Sequence, residues 1–415
     1  YGSPNKAGTH EAHGSPLGKD EVRLTKENLG WDPDAQFLIE ADVLAFWRQA
    51  VERGAAAEAE WHQKWRAYQT AYPELATELE QAINGELPDN WDASIPIFEP
   101  DDKGMATRVS SGKVLNGIAR QVPTFMGGDA DLSPSTKTTI SGEGVFGNGN
   151  YAQRNLAFGV REHAMGAIVN GMAIHGGIKK PYTATFFVFS DYMRPTIRLA
   201  ALMGIEPIFV FTHDSVGLGE DGPTHQPVEH LSAVRAIPNI ILLRPADANE
   251  TAAAWKIAMQ HRGGPVVLVF SRQDTPTFEP DSIEAGVKRG AYVLSDCDGE
   301  PQALLMATGT EVALAVKAQE GLAAEGIRTR VISMPSFELF EKQDQTYREH
   351  VLPPTITARV AIEAGSKQCW YPYLGTRGVF IGVDGRFGAS APAEVIYEKL
   401  GITPTAIIQA VKKLV

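Results

Sequence analysis

Five short apolar runs constrain the middle of this chain more than any other feature. NLAFGV (from Asn155), YTATFFVF, PIFVFT, NIILLRP and PVVLVFS (ending at Ser271) are nearly continuous in apolar residues. Stretches at helical spacing separate several of them: REHAMGAIVNGMAIHG, YMRPTIRLAALM and ANETAAAWKIAMQHR. Unbroken apolar strands alternating with helices predict a parallel sheet covered on both faces. Upstream, RVSSGKVLNGIARQV reads as a helix and TFMGGDAD as strand and turn. Downstream, the turn-rich SRQDTPTFEPDSIEAG leads to a second set of strands, QALLMATG, TRVISMP, ARVAIEAG and GVFIG, with helices between and after them. The expected fold class is α/β, two consecutive parallel-sheet, doubly wound domains. A helical connector precedes them, because Ala41 to Asn84 spaces apolar residues helically among Ala, Glu, Gln and Arg.

Open parallel sheets bind ligands beyond the carboxyl ends of their strands. Asp131, Glu162, His213, Asp214 and Arg272 stand at such ends and are expected to share one rim. Glu162, between strand and helix, has an ordinary role in complementing the helix dipole. It also suits a half-buried carboxylate kept ready to exchange a proton. Phe186, Phe187, Phe189 and Tyr192 fall within seven positions, ordinarily as core, alternatively as a stacking wall for a flat ring.

GLGEDG (Gly217–Gly222) satisfies a dinucleotide-binding fingerprint, but Pro223 and Pro227 follow where a helix should begin, and Glu220 and Asp221 would repel a diphosphate. As a calcium loop it has Val216 and Leu218 where oxygen ligands belong, and the chain holds no zinc-protease pattern. A rigid loop presenting imidazoles and a carboxylate to a hydroxyl-rich substrate remains. The net charge of 38 − 50 = −12 argues against nucleic acid and anionic membrane surfaces. Two distant cysteines fit a reducing compartment, and no apolar stretch approaches a membrane span.

Together these residues resemble the transketolases, thiamine diphosphate enzymes of sugar-phosphate metabolism. GSPNKAGTHEAHGSPLG, GVREHAMGAIVNGMAIHGG and THDSVGLGEDGPTHQPVEH carry the resemblance, with GGDADLSPS, LVFSRQD and IEAGS extending it along the chain. It implies that Glu162 hydrogen-bonds the cofactor's aminopyrimidine and so promotes formation of the reactive ylid. It implies that Phe186, Phe189 and Tyr192 line the pyrimidine pocket, with Asp131 nearby. His13 would contact diphosphate or the reacting end of the substrate, giving it catalytic, cofactor-binding and substrate-binding parts. Arg108, Ser135, His213 and Arg272 would hold the sugar phosphate, Asp221 would select a hydroxyl configuration, and His225 would move protons.

The resemblance further implies a homodimer acting on sugar phosphates in the pentose phosphate pathway, in the cytoplasm, with no metal ligand in this chain. No G-D-G occurs, so the Mg2+ (or Ca2+) ligands and the diphosphate-binding domain are expected to be missing. On that reading 1–30 is the tail of the missing domain and 31–98 the helical connector. Residues 99–275 form the pyrimidine-binding domain and 276–415 the C-terminal domain. Alternatives are a related thiamine enzyme (dihydroxyacetone synthase or deoxyxylulose phosphate synthase) or, for this chain alone, a catalytically incompetent dimerising fragment or split subunit.

Overall fold

A computed structural model describes residues 1–178, 180–279 and 281–415. The chain divides into two compact units, Tyr1–Thr77 and Glu78–Val415.

In the first unit, residues 1–18 form a turn-rich loop tied to the Lys19–Asn28 helix through Glu21. The Ser3 hydroxyl and the Asn5 side-chain and backbone N–H groups donate to the Glu21 carboxylate and hold its pKa down to about 2. A 31-residue helix, Ala41–Ala71, follows, and none of its residues is buried. Its Ala/Glu/Gln content favours the helix without a core contact. Trp61, Trp65, Tyr68 and Tyr72 line up along it at centroid spacings of 5.9, 5.9 and 5.2 Å. Pro73, which disfavours helical backbone at the residue before it, ends that helix at Tyr72 and opens the next, Pro73–Ile83. Two helices thus occupy Ala41–Asn84, as the spacing predicts.

Among the described residues the second unit holds thirteen strands. They are β1 (Asp101–Ala106), β2 (Gly127–Asp129), β3 (Asn155–Ala157), β4 (Tyr182–Phe186), β5 (Ile208–Thr212), β6 (Ile241–Leu243) and β7 (Val266–Phe270), then β8 (Asp274–Thr277), β9 (Tyr292–Ser295), β10 (Ala303–Ala307), β11 (Thr329–Ser333), β12 (Arg359–Glu363) and β13 (Val379–Gly382). β2 to β7 form an all-parallel sheet in the order β3-β2-β4-β5-β7-β6. Both faces are packed, which is why the strands read as unbroken apolar runs. Ile208 and Val210 join one core with Leu115, Ile118 and Trp255, while Phe209 and Phe211 join another with Met165 and Ile197. The second sheet runs β13-β12-β10-β11-β9, parallel except for β9, which pairs antiparallel with β11.

Several stretches depart from the sequence reading. β9 was not expected as a strand, and it runs antiparallel in a sheet expected to be parallel. YTATFFVF is strand only to Phe186; Phe187–Phe189 coil into a 3₁₀ turn. The turn-rich 271–286 segment contains β8, paired antiparallel with β1 (two strands the sequence does not announce), and the Ile283–Lys288 helix. Asp-Thr-Pro-Thr has weak strand propensity, so pairing with β1 rather than local pattern makes it extended. That pairing needs Gly104: its φ is +56°, and a Cβ there would lie 1.8 Å from the Thr275 carbonyl oxygen. Among the described residues no helix is long and apolar enough to cross a membrane.

Candidate active site

The segments that follow β2, β3, β4 and β5 line a pocket of about 510 Å³ with Asp131, Glu162, Phe186, Phe189, Tyr192 and His225. All six were expected as site residues. Ala130, Leu132 and Val160, which sequence reasoning passed over, complete the wall.

The 3₁₀ turn after β4 builds the aromatic side. With three residues per turn, positions i and i+3 eclipse, so Phe186 and Phe189 face the same way, 6.1 Å apart and within 4° of parallel. Tyr192 continues the series 6.1 Å from Phe189. Phe187, turned the other way, is buried in the core. His225 meets the edge of Phe189 at 5.7 Å. Glu162 is half-buried and is the first residue of the Glu162–His175 helix.

A second cluster adjoins this pocket through Phe186, whose ring stacks on His213 at 3.7 Å. Arg108 donates to the Ser135 carbonyl at 2.8 Å, and its Nη1 lies 3.5 Å from His213 Nε2. Burial lowers the His213 pKa to about 3, reinforced by the positive charges of Arg108 and Arg272 and by His225. The imidazole is therefore neutral at physiological pH. Burial and Arg272 also pull the Arg108 pKa down, against Asp274. Arg108 Nε is buried with no hydrogen-bond partner among the described residues. Two guanidiniums and a neutral imidazole suit an anion with several acceptor oxygens.

Asp131 and His213 both have φ near +61°, the left-handed region that a β-carbon disfavours. Strained positions of this kind tend to sit at functional sites, held by surrounding structure. For His213 the holding structure is visible. The next residue, Asp214, does not face the rim as its place in the sequence suggests. Its carboxylate is fully buried and accepts from Arg244 Nε and Nη2 at 2.9 and 2.7 Å. Arg244 Nη1 also donates to Thr308 and to Glu311, at 2.5 Å. Thr308 in turn donates to Glu363, which pairs with Arg235. Thr308, Glu311 and Glu363 belong to the second sheet's domain, so this network pins the His213 corner to it. Burial raises the Asp214 pKa, as does Glu311, with Arg244 opposing. Arg244 itself was missed; its one sequence signal is an arginine closing the apolar run IILL.

The 213–230 loop confirms that GLGEDG is no dinucleotide turn. Val216–Leu218 form a 3₁₀ turn, Gly219 and Gly222 have φ of +93° and +76°, and the next helix starts only at His230. Gln226 closes the loop by donating to Gly219 and Ala389 carbonyls, both at 2.9 Å. Asp221 is exposed at its tip. His13 belongs to the first unit, where it is exposed in the Glu11–Gly14 turn.

Residues 103–277 match the family described as transketolase, pyrimidine binding domain, and 290–403 match the transketolase-like C-terminal domain. The chain is 54% identical over 418 residues to a transketolase of Geobacillus stearothermophilus, with 100% of this chain and 62% of that protein covered. To the chloroplastic transketolase of Craterostigma plantagineum it is 49% identical, covering all of this chain and 80% of that one. The chain belongs to the transketolase family. A Pichia stipitis transketolase structure in complex with sedoheptulose-7-phosphate superposes with a TM-score of 0.93 at 39% identity, covering 100% of this chain and 61% of that one. The chain thus spans about three fifths of the length of most of these transketolases. A third match corrects one expectation. Residues 1–88 match the transketolase thiamine diphosphate binding domain, so 1–30 and most of 31–98 carry that domain's sequence, and its absence is not supported.

Proposed function

We propose that this protein is a transketolase in activity as well as family. It would reversibly transfer a two-carbon ketol group from a ketose phosphate (xylulose 5-phosphate) to an aldose phosphate (ribose 5-phosphate or erythrose 4-phosphate). The observation that carries this is the junction at Phe186, where the carboxylate-and-aromatic pocket meets the two-arginine cluster.

The pocket fits the pyrimidine end of thiamine diphosphate. A half-buried carboxylate faces the space beside near-parallel phenyl rings, the combination a flat heterocycle with a protonatable ring nitrogen requires. When bound, the cofactor supplies the carbanion chemistry and electron sink that no side chain has. Glu162 holds a proton at the ring nitrogen, and Phe186, Phe189 and Tyr192 stack and exclude water, beside Asp131. His225, with Nδ1 3.0 Å from the Thr224 hydroxyl, moves protons at the substrate's hydroxyls. His213, kept neutral, can accept from a substrate hydroxyl. Arg108, Arg272 and Ser135 bind the phosphate, Asp221 reads a hydroxyl's configuration, and His13 contacts diphosphate or the reacting carbons. Mg2+ or Ca2+ accompanies the diphosphate; we assign it no ligand among the described residues.

A homodimer belongs to this reading. Ile168 and Ile174 on one helix and Leu199, Leu202 and Met203 on its packed neighbour, Ser190–Met203, are all exposed, an apolar face suited to a second copy. Two free cysteines, Cys297 and Cys369, fit a reducing compartment such as the cytoplasm, and the pentose phosphate pathway as its setting follows from the transketolase reading alone. The incompetent-fragment alternative rested on a missing diphosphate domain, whose absence the 1–88 match does not support. With xylulose 5-phosphate, ribose 5-phosphate, thiamine diphosphate and Mg2+, the protein is expected to form sedoheptulose 7-phosphate. No such product would refute the assignment, and turnover only with other acceptors would favour a related thiamine enzyme.

A further inference from the structure

We propose that Asp191, Glu229 and His230 form a site for one divalent transition-metal ion, such as zinc. The ion would clasp the start of the Ser190–Met203 helix to the start of the His230–Arg235 helix. Among the described residues these three are the one group of histidine and acid side chains whose ligand atoms all lie within 4.8 Å of one another.

The two carboxylates alone carry nothing, since acids at helix starts ordinarily complement the backbone dipole. The imidazole is what needs explaining. His230 is 4% exposed, and both of its ring nitrogens are buried without a hydrogen-bond partner among the described residues. A buried polar atom left so costs about 1–3 kcal/mol and calls for a partner such as an ion. Nε2 lies 3.2 Å from Asp191 Oδ2, and Nδ1 lies 3.8 Å from Glu229 Oε2. A ring nitrogen's lone pair facing a carboxylate so closely is repelled unless a proton or a cation lies between them. One ion can bond only one nitrogen of the ring; that nitrogen is Nε2, beside Asp191, and the exposed Glu229 carboxylate has to swing from the Nδ1 side to join it. A metal bonded to nitrogen and oxygen at about 2.0–2.2 Å separates neighbouring ligand atoms by about 3.0–3.4 Å, which brackets the Asp191 distance. One imidazole with two carboxylates neutralises a divalent charge. Its nitrogen favours zinc over magnesium or calcium, which prefer oxygen throughout. The exposed carboxylates, at 62% and 58% side-chain exposure, are free to close the remaining gap and leave positions for water. The ion would stiffen the pocket indirectly, because Asp191 immediately precedes Tyr192 and lies two residues from Phe189.

The test is a calorimetric titration of chelator-stripped protein with zinc chloride, in the absence of thiamine diphosphate and magnesium, with thermal melts alongside. We expect one zinc ion per chain and a higher melting temperature with zinc. Asp191→Asn and His230→Gln should each weaken binding at least tenfold. Asp191 is exposed, so its variant keeps the fold even if His230→Gln does not. No saturable zinc binding, or equal binding in both variants (one of the chain's 10 histidines acting elsewhere), would overturn the proposal. So would magnesium binding as tightly as zinc. None of these readouts uses ketol transfer, so the catalytic reading can fail without affecting this one.

Discussion

Replacing Arg244 with methionine should cost more at neutral pH than at mildly acidic pH. The side chain is fully buried and makes two charge-assisted bonds to Asp214 and one to Glu311. Removing it leaves two fully buried carboxylates without their shared counter-charge; Glu311 keeps donors from Tyr397, Thr310 and Ala364, so Asp214 is the more stranded of the two. Breaking a buried pair from one side costs about 3–5 kcal/mol. A second estimate gives the same scale. A stranded carboxylate can escape by taking up a proton, and neutralising an aspartate of ordinary pKa near 3.9 at pH 7 costs about 3.1 units at 1.36 kcal/mol each, or about 4 kcal/mol. That ceiling falls by about 1.4 kcal/mol for each unit the pH drops. The sign follows from linkage. In the variant the folded-state carboxylate pKa lies above its unfolded value, so the folded state holds the extra proton and loses stability as pH rises through the folded pKa. Urea unfolding of both proteins at pH 5.5 and 7.5, read by circular dichroism, measures this. We expect a loss of about 3–5 kcal/mol at pH 7.5 that shrinks by at least about 1 kcal/mol at pH 5.5. A loss that does not change with pH would refute the argument that stranded charge, rather than lost packing, is the cause.

Glu162→Gln should leave the KM for sugar phosphates near its normal value while turnover falls about 10²- to 10⁴-fold, the usual worth of a positioned acid–base group; steady-state kinetics will decide. Arg108→Met removes a guanidinium from the phosphate cluster and should raise the KM for ribose 5-phosphate about 10- to 100-fold, from 1.5–3 kcal/mol per charged hydrogen bond. Unphosphorylated acceptors should be affected far less, which substrate profiling will show. His213 should stay unprotonated from pH 8 down to about pH 4 in an NMR titration, given its pKa of about 3. Below about pH 6.5 the unfolded chain takes up a proton at this position that the folded chain refuses. Stability should therefore fall as pH drops from 6.5 toward 3, and Arg108→Met should lessen that loss.

The sheet was legible because burial on both faces leaves no alternation to misread: IFVFT and VVLVF declare themselves. The aromatic wall was only half legible: the crowding of rings at 186–192 fits core as well as wall, the family resemblance singled out Phe186, Phe189 and Tyr192, and the turn that aligns the first two was read as strand. What stayed hidden depends on partners remote in sequence. β8 is extended only because β1 lies beside it, and nothing in Asp-Thr-Pro-Thr states that. Asp214 looked like a rim residue because its strand ends there, yet its side chain turns toward Arg244, thirty positions on. The Ala41–Ala71 helix was legible as a helix, but its periodicity did not tell that residues 1–88 match the thiamine diphosphate binding domain.

The 3₁₀ turn at Phe187–Phe189 also sets how this pocket can be altered. Each residue there advances the chain by about 120°. Inserting or deleting one would swing the Phe189 ring off the wall and bring a neighbour into its place. Substitution preserves the register of the rings, and a change of length destroys it. Redesign for a different ring system should therefore exchange the side chains at 186, 189 and 192 and keep their count fixed. The 213–230 loop is under the same restriction, because a change of its length would displace His213 and His225 and the Gln226 bonds that close it.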